Sequence, residues 1–262
     1  MQINLTGKRA LVGGSSRGIG LAIARQLAAS GASVTLMARS EEKLAAIIAA
    51  LPSDTPEQRH QYLAVDFTNF NDYEKQISAF FENNSIDILI NNTQGPKAGS
   101  SLEKEIKDYQ EAFDVLFKSV VLTTQLALPH MQRQGWGRII NVASVSVKEP
   151  LSYLVLSNTI RAAVATWAKS LATAVAVNHI TVNTILTGYF DTERLSELNE
   201  KKAEQLGIPS SEVKEHMIGQ VPMKRLGKPS EYGYLAAFLS SEQASYITGT
   251  NIPIDGGLLK SL

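Results

Sequence analysis

The stretch Gly13-Gly14-Ser15-Ser16-Arg17-Gly18-Ile19-Gly20 lies between an apolar run of strand character, Arg9–Gly13, and a helical stretch, Ile19–Ala29. Glycines let a turn approach a pyrophosphate closely, and the free N–H groups and dipole of a helix N-terminus stabilise its charge. Taken alone, such a cluster is equally a tight turn that packs helix on strand. Here a strand precedes it, a helix follows, and the next strand ends about 20 residues on, the spacing of a dinucleotide-binding unit. Gly14, Ser16, Gly18, Ile19 and Gly20 are therefore candidate phosphate-binding residues. Where a carboxylate commonly holds the ribose of NAD(H), the second strand ends in Ala38-Arg39, and the loop adds Arg17. Two guanidiniums suit a 2′-phosphate, so NADP(H) is the expected coenzyme. The plain alternative for both is a solvated loop arginine.

Working outward, further strand runs occur at Ser33–Arg39, Gln61–Asp66, Asp87–Asn92, Arg138–Ser144, Ile180–Leu186 and Asn251–Asp255, several of them apolar almost throughout. Continuous apolarity implies burial on both faces, as in a parallel sheet between helix layers. Helical spacing fills the gaps at Gly18–Ser30, Glu41–Leu51, Phe70–Asn83, Tyr109–Gln134, Leu154–Val177 and Pro229–Ser240. The order is βαβα, which predicts a doubly wound parallel α/β sheet of seven strands. At 262 residues with no visible repeat the chain reads as one domain. Phe190–Gln220 is charged and weakly amphipathic, and follows the sixth strand on the edge where such folds bind ligands. It is a candidate lid.

Composition narrows the function. Lysine plus arginine and aspartate plus glutamate number 25 each, without a dense basic run, so no electrostatic footprint for nucleic acid is present. With no cysteine there is no thiolate site or thiol nucleophile, and the four histidines, His60, His130, His179 and His216, are far apart in sequence. No metal site is expected. Uninterrupted apolar stretches stop short of the roughly 20 residues of a bilayer helix, and the first nine residues lack a secretion signal's layout. The expectation is a cytoplasmic protein without a membrane partner.

From Thr6 to Gly257 the chain resembles the short-chain dehydrogenase/reductase superfamily, most of all its 3-oxoacyl-carrier-protein-reductase-like branch. The family's T-G-x-x-x-G-I-G loop is matched by Gly13-Gly14-x-x-x-Gly18-Ile19-Gly20, with Gly13 in place of threonine. Asp66-Phe67-Thr68 resembles its D-V-T segment beside the adenine, Asp87–Asn92 its D-I-L-V-N-N strand, and Arg225–Pro229 with Ser245–Gly257 its C-terminal signature. The resemblance implies dinucleotide contacts from Asp66, Phe67 and Asn91. Read alone, a strand-end aspartate is as often a helix cap and an asparagine a turn former.

The family's chemistry rests on an asparagine, a serine and a Y-x-x-x-K pair, and here the match breaks down. Ser144 keeps the serine. Ungapped alignment places Ser157 at the tyrosine, Arg161 at the lysine and Leu116 at the asparagine. N-N-A-G becomes Asn91-Asn92-Thr93-Gln94, and P-G becomes Thr187-Gly188, with Gly188 still expected beside the coenzyme. Residues four apart share a helix face, so Ser157 and Arg161 point together. A serine hydroxyl reaches roughly 4 Å less far than a phenol and is a far weaker acid than a group of pKa about 10. Arg161 can hydrogen-bond a ribose but does not release a proton. Losing positioned acid catalysis costs about 10²- to 10⁴-fold, or about 3 to 5.5 kcal/mol.

A replacement donor is conceivable in Tyr153, if the helix reaches one turn before Ser157 despite Pro150; otherwise it is a rim aromatic. Tyr189 reads more simply as a lid anchor, Lys148 as a solvated loop charge and Leu116 as core. Two functions stay open. One is an NADP(H)-dependent carbonyl reductase or alcohol dehydrogenase of atypical mechanism acting on a small molecule, with Ser144 orienting the substrate oxygen and water or Tyr153 delivering the proton. The other is a catalytically silent NADP(H)-binding sensor or assembly subunit. The apolar surplus and alanines of Tyr109–Gln134 and Leu154–Val177 predict self-association, and the resemblance implies a homotetramer.

Overall fold

The computed structural model describes residues 3–261. Its strands are β1 (Arg9–Gly13), β2 (Ser33–Ala38), β3 (Gln61–Ala64), β4 (Ile88–Asn91), β5 (Gly137–Val142), β6 (Ile180–Thr187) and β7 (Asn251–Ile254). They form one parallel sheet in the order β3-β2-β1-β4-β5-β6-β7, the doubly wound arrangement expected from the sequence. The helices are α1 (Gly18–Ala29), α2 (Glu41–Ala49), α3 (Phe70–Asn83), α4 (Ile106–Phe113), α5 (Ser119–Gln134), α6 (Val155–Val175), α7 (Glu193–Leu206), α8 (Ser210–Gln220) and α9 (Pro229–Leu239).

Strand side chains alternate between faces, and both faces are dry. Ala10, Val12, Ile88 and Ile90 join Ile23 and Leu27 of α1 and Ala236 of α9 in one core. Leu11, Leu89, Ile139 and Val182 join Tyr73 and Ile77 of α3, Met131 of α5 and Ala168 of α6 in the other. This two-sided burial is why the strands read as apolar runs rather than as alternating ones.

Most element ends differ from the sequence reading by one or two residues, and several of these differences bear on the site. The helix expected from Tyr109 starts at Ile106, where Asp108 Oδ2 accepts from the Glu105 N–H (3.0 Å), and it carries a π-helical turn at Asp114–Lys118. β3 and β5 end two residues early, so Asp66 and Ser144 stand in loops beyond their strands. α6 begins at Val155, leaving Tyr153 in the preceding turn. The candidate lid is two helices, α7 and α8, whose Ala203, Val213 and Met217 pack together against Tyr189, Leu195 and Ile208. So few apolar positions give little periodic signal in sequence.

Ile106–Gln134 and Val155–Asn178 span 29 and 24 residues, long and apolar enough by length and composition to cross a membrane, although neither is an uninterrupted apolar run. Polar side chains punctuate them, and their buried stripes, including Ala127, Met131, Ala168 and Ala172, lie on the sheet.

Candidate active site

The loop after β1 is built for close approach. A Cβ on Gly13 would sit 2.3 Å from the Asn92 carbonyl oxygen, and one on Gly20 would sit 2.2 Å from that of Gly14. Gly14 also adopts φ +54°, where a side chain is strained. The family's threonine therefore does not fit at Gly13 in this geometry. Asn92 Nδ2 donates to the Gly13 carbonyl (3.0 Å), and Ser15 Oγ accepts from the Met37 N–H (2.9 Å), pinning the loop to β4 and β2. α1 has neither a side-chain cap nor an acidic residue in its first turn. Its leading N–H groups and positive dipole end are thus left for an anion, with half-buried Ser16, Gly18 and Ile19 around them. These features fit a dinucleotide's pyrophosphate. Ser15 and Asn92, which the sequence reading did not single out as functional, hold the loop in place.

The two arginines proposed for the 2′-phosphate differ. Arg39 is exposed at the end of β2 and makes no ion pair with another described residue. Arg17 Nη1 donates to Glu193 Oε2 (2.8 Å) and Glu197 Oε1 (2.7 Å), one turn apart on α7. These bonds raise the Arg17 pKa and hold Glu197 below the usual carboxylate range. On the same helix Arg194 Nη2 donates to the Pro96 carbonyl (3.0 Å). The candidate lid is thus tied to the glycine-rich loop by the residue expected to take the coenzyme's phosphate. Neither glutamate was legible as a partner, since the pairs span 176 and 180 residues.

Other expected coenzyme contacts are occupied differently. Asp66 Oδ1 accepts from the Thr68 N–H (2.9 Å) and Oγ1 (2.8 Å), forming a local turn. The Phe67 side chain is buried against the Tyr73 ring, 5.1 Å between centroids, which leaves only its backbone for a ligand. Asn91 Nδ2 is likewise turned inward, donating to Thr124 Oγ1 (3.1 Å) and Asn141 Oδ1 (2.9 Å). The sequence reading gave no side-chain direction for these three. Gly188 permits β6 and β7 to close up: its N–H donates to the Ile254 carbonyl (3.0 Å), and a Cβ would lie 2.6 Å from Asp255 Cα.

At the end of β5 the expected pair does come together. Arg161 Nε donates to Ser157 Oγ (3.2 Å) and its Nη1 to the Val142 carbonyl. Burial pushes the guanidinium's pKa below its ordinary value; Tyr232 opposes that shift and Arg194 adds to it. Ser144 Oγ accepts from the Ser146 N–H (3.1 Å) at the head of the next turn. Arg161, Asn91, Leu116 and Asn141 face a cavity with room for roughly one water. Asn141 Nδ2 is buried there without a hydrogen-bond partner among the described residues. Leu116 packs against Ala112, Leu156 and Ile160, as a core residue should.

Tyr153 does not share Ser157's helical face. It sits in the turn before α6, its ring under Lys202 Nζ at 5.2 Å, and burial and the neighbouring Tyr189 push its pKa up to about 12. Tyr189 packs against Ala203, Val213 and Met217 of α7 and α8, and burial raises its pKa too. Lys148 is exposed.

Comparison with known proteins decides the lineage. The family described as enoyl-(acyl carrier protein) reductase matches residues 14–259, and a 3-oxoacyl-[acyl-carrier-protein] reductase from Aquifex aeolicus (strain VF5) is 33% identical across 98% of this chain and 100% of its own. The chain belongs to the short-chain dehydrogenase/reductase family. The NADPH-dependent reductase BacG of Bacillus subtilis (strain 168) is 30% identical, over 97% of this chain and 99% of that one. Among solved structures of the family, L-sorbose reductase from Gluconobacter frateurii, complexed with NADPH and L-sorbose, superposes with a TM-score of 0.91 at 30% identity, each chain covered completely. Short-chain dehydrogenase/reductases are NAD(P)-dependent oxidoreductases, and the glycine-rich loop on α1 fits that coenzyme class.

Proposed function

We propose that the chain binds NADP(H) and interconverts a small-molecule carbonyl compound and its alcohol at a site that has lost the family's usual acid. The observation that carries this reading is the Ser157–Arg161 pair, one helical turn apart and hydrogen-bonded at 3.2 Å beside the end of β5. Its i,i+4 spacing on one helix supports reading it as standing in the place of the family's tyrosine and lysine with altered chemistry. The coenzyme supplies the hydride when bound. Gly14, Ser16, Arg17, Gly18, Ile19 and Gly20 hold its phosphates, and Arg39 with Arg17 selects the 2′-phosphate. The printed descriptions of BacG and L-sorbose reductase, both with NADPH, support that preference.

Arg161 holds the ribose and contributes positive charge; as an arginine it relays no proton. Ser144 orients the substrate oxygen, and Ser157 adds a hydroxyl too short to stand in for a phenol. The proton comes from water or from Tyr153, which at a pKa of about 12 is a weaker acid than an ordinary phenol. Carbonyl reduction is accordingly slow relative to a complete site, by about 10²- to 10⁴-fold. The α7–α8 pair is the substrate lid, and the half-buried apolar residues of α5 and α6, Leu122, Leu126, Trp167 and Leu171 among them, are the contacts of a homotetramer.

The test is titration with NADPH and NADH followed by NADPH consumption against 3-oxoacyl thioesters, quinones and simple ketones. NADH binding as tight as NADPH binding overturns the role of Arg17 and Arg39. NADPH binding with no turnover on any substrate replaces the reductase by a coenzyme sensor or assembly subunit.

A further inference from the structure

Between the lid helices and the turn before α6 lies a cavity of about 120 Å³. An engineered apolar cavity of about 150 Å³ accommodates benzene, so the occupant here is about the size of one six-membered ring. Ile208, Val213 and Met217 give it an apolar wall, while Tyr153, Tyr189 and Lys202 bring polar groups to the other side and exposed His216 borders the opening. No aspartate or glutamate lines it.

These polar groups are uncommitted. The Tyr153 and Tyr189 hydroxyls, Lys202 Nζ and the His216 ring make no hydrogen bond or ion pair with another described residue, although Lys202 rests over the Tyr153 ring at 5.2 Å. The acidic residues of α7 nearest the coenzyme loop are turned the other way, Glu193 and Glu197 onto Arg17. On α7 these two carboxylates thus lie on the glycine-rich loop, while the Lys202 ammonium lies at the cavity. In a half-dry pocket of this sign an anion gains charge-assisted hydrogen bonds, a neutral ligand leaves the ammonium unanswered, and a cation is repelled.

We infer that the substrate is a small carbonyl compound bearing a carboxylate, with its apolar body against Ile208, Val213 and Met217 and its carboxylate on Lys202 and the Tyr189 hydroxyl. This rests on the reductase reading above. The reaction joins one hydride from NADPH to the carbonyl carbon and one proton to its oxygen, leaving an alcohol and NADP⁺; the carboxylate is unchanged.

Turnover of 2-oxo and 3-oxo acids against their methyl esters is the first experiment, and calorimetric binding of benzoate against methyl benzoate to the NADPH-loaded protein is the second. The acids should exceed their esters in kcat/KM on the order of tenfold, carried by KM, and benzoate should bind more tightly than its ester. Lys202→Met should erase both preferences, Lys202→Arg should keep them, and Lys201→Met, on the exposed side of the same helix, should leave them intact. Equal handling of acid and ester by the unaltered protein, or a preference that survives Lys202→Met, overturns the inference. If no substrate turns over, the reductase reading fails by itself, and the benzoate arm still decides whether this cavity selects anions.

Discussion

Replacing Glu193 and Glu197 together by glutamine is expected to tighten NADPH binding about 2- to 30-fold and to change NADH binding much less. Arg17 holds both carboxylates through Nη1 at 2.7–2.8 Å, so a 2′-phosphate drawn to the same guanidinium competes with them for its charge. The pairs are wet: the Arg17, Glu193 and Glu197 side chains are 46, 69 and 42% exposed. Exposed ion pairs of this kind contribute roughly 0.2–1 kcal/mol each, so releasing two returns about 0.4–2 kcal/mol to the phosphate, which gives the fold-range above. Removing two negative charges near the phosphate cradle also relieves repulsion of both coenzymes. The deciding quantity is therefore the ratio of the NADH and NADPH dissociation constants, read by coenzyme fluorescence at low and at moderate salt. That ratio should rise in the double variant, shrink again as salt screens the charges, and collapse in Arg17→Ala. Equal tightening of both coenzymes, or an unchanged ratio, refutes the idea that lid and phosphate share Arg17.

The remaining predictions concern catalysis, stability and assembly. Ser157→Tyr with Arg161→Lys should raise carbonyl reduction by about 10²- to 10⁴-fold over the unaltered chain, measured as NADPH consumption; no gain would mean that the pocket around the pair is incompetent. Tyr153→Phe should abolish reduction while leaving NADPH affinity intact if that phenol is the donor, and unchanged turnover transfers the proton to water. Burial pushes the Asp87 carboxyl up, but hydrogen bonds from Arg9, His130 and Gln134 outweigh it and hold the pKa below the usual carboxylate range. Its contribution is then complete above the unfolded pKa of about 4 and lost as pH falls through the lower folded value. Asp87→Asn should cost about 1–3 kcal/mol at pH 7, with the deficit narrowing toward pH 2 in urea titrations; a pH-independent deficit contradicts this. Light scattering should return four times the chain mass, and a monomer would show that the apolar faces of α5 and α6 stay open.

What the sequence disclosed and what it withheld divide along the range of the interactions concerned. The strands were legible because burial on both faces makes Val12 and Ile90 on one side and Leu11 and Leu89 on the other apolar alike, and Gly13 and Gly20 because only glycine tolerates backbone oxygens at 2.3 and 2.2 Å from a Cβ position. Ser157 and Arg161 were legible as a pair because i,i+4 geometry inside one helix is local. α7 and α8 were not, since their few apolar residues pack mainly on each other and on Tyr189. The inward turn of Phe67 and Asn91 was not legible, because Tyr73 and Thr124 come from other elements.

Tyr153 shows the limit most clearly, because its distance in sequence from Ser157 suits a shared helical face and the structure denies one. The Tyr153 carbonyl accepts from the Gly99 N–H (2.7 Å), the Leu154 N–H closes a turn onto Leu151 (2.9 Å), and Asn158 Nδ2 donates to that same Leu151 carbonyl (2.7 Å). With those groups committed, α6 starts only at Val155, and the Tyr153 ring falls beside Lys202 and Tyr189 in the lid cavity. A phenol placed there faces the α7–α8 pair rather than the Arg161 guanidinium, with no cation of another described residue in hydrogen-bond contact to lower its pKa. Any proton it gives is therefore given without the assistance that a helix-borne lysine would provide, which is why the Tyr153→Phe result bears on where the acid function has moved and not merely on whether it exists.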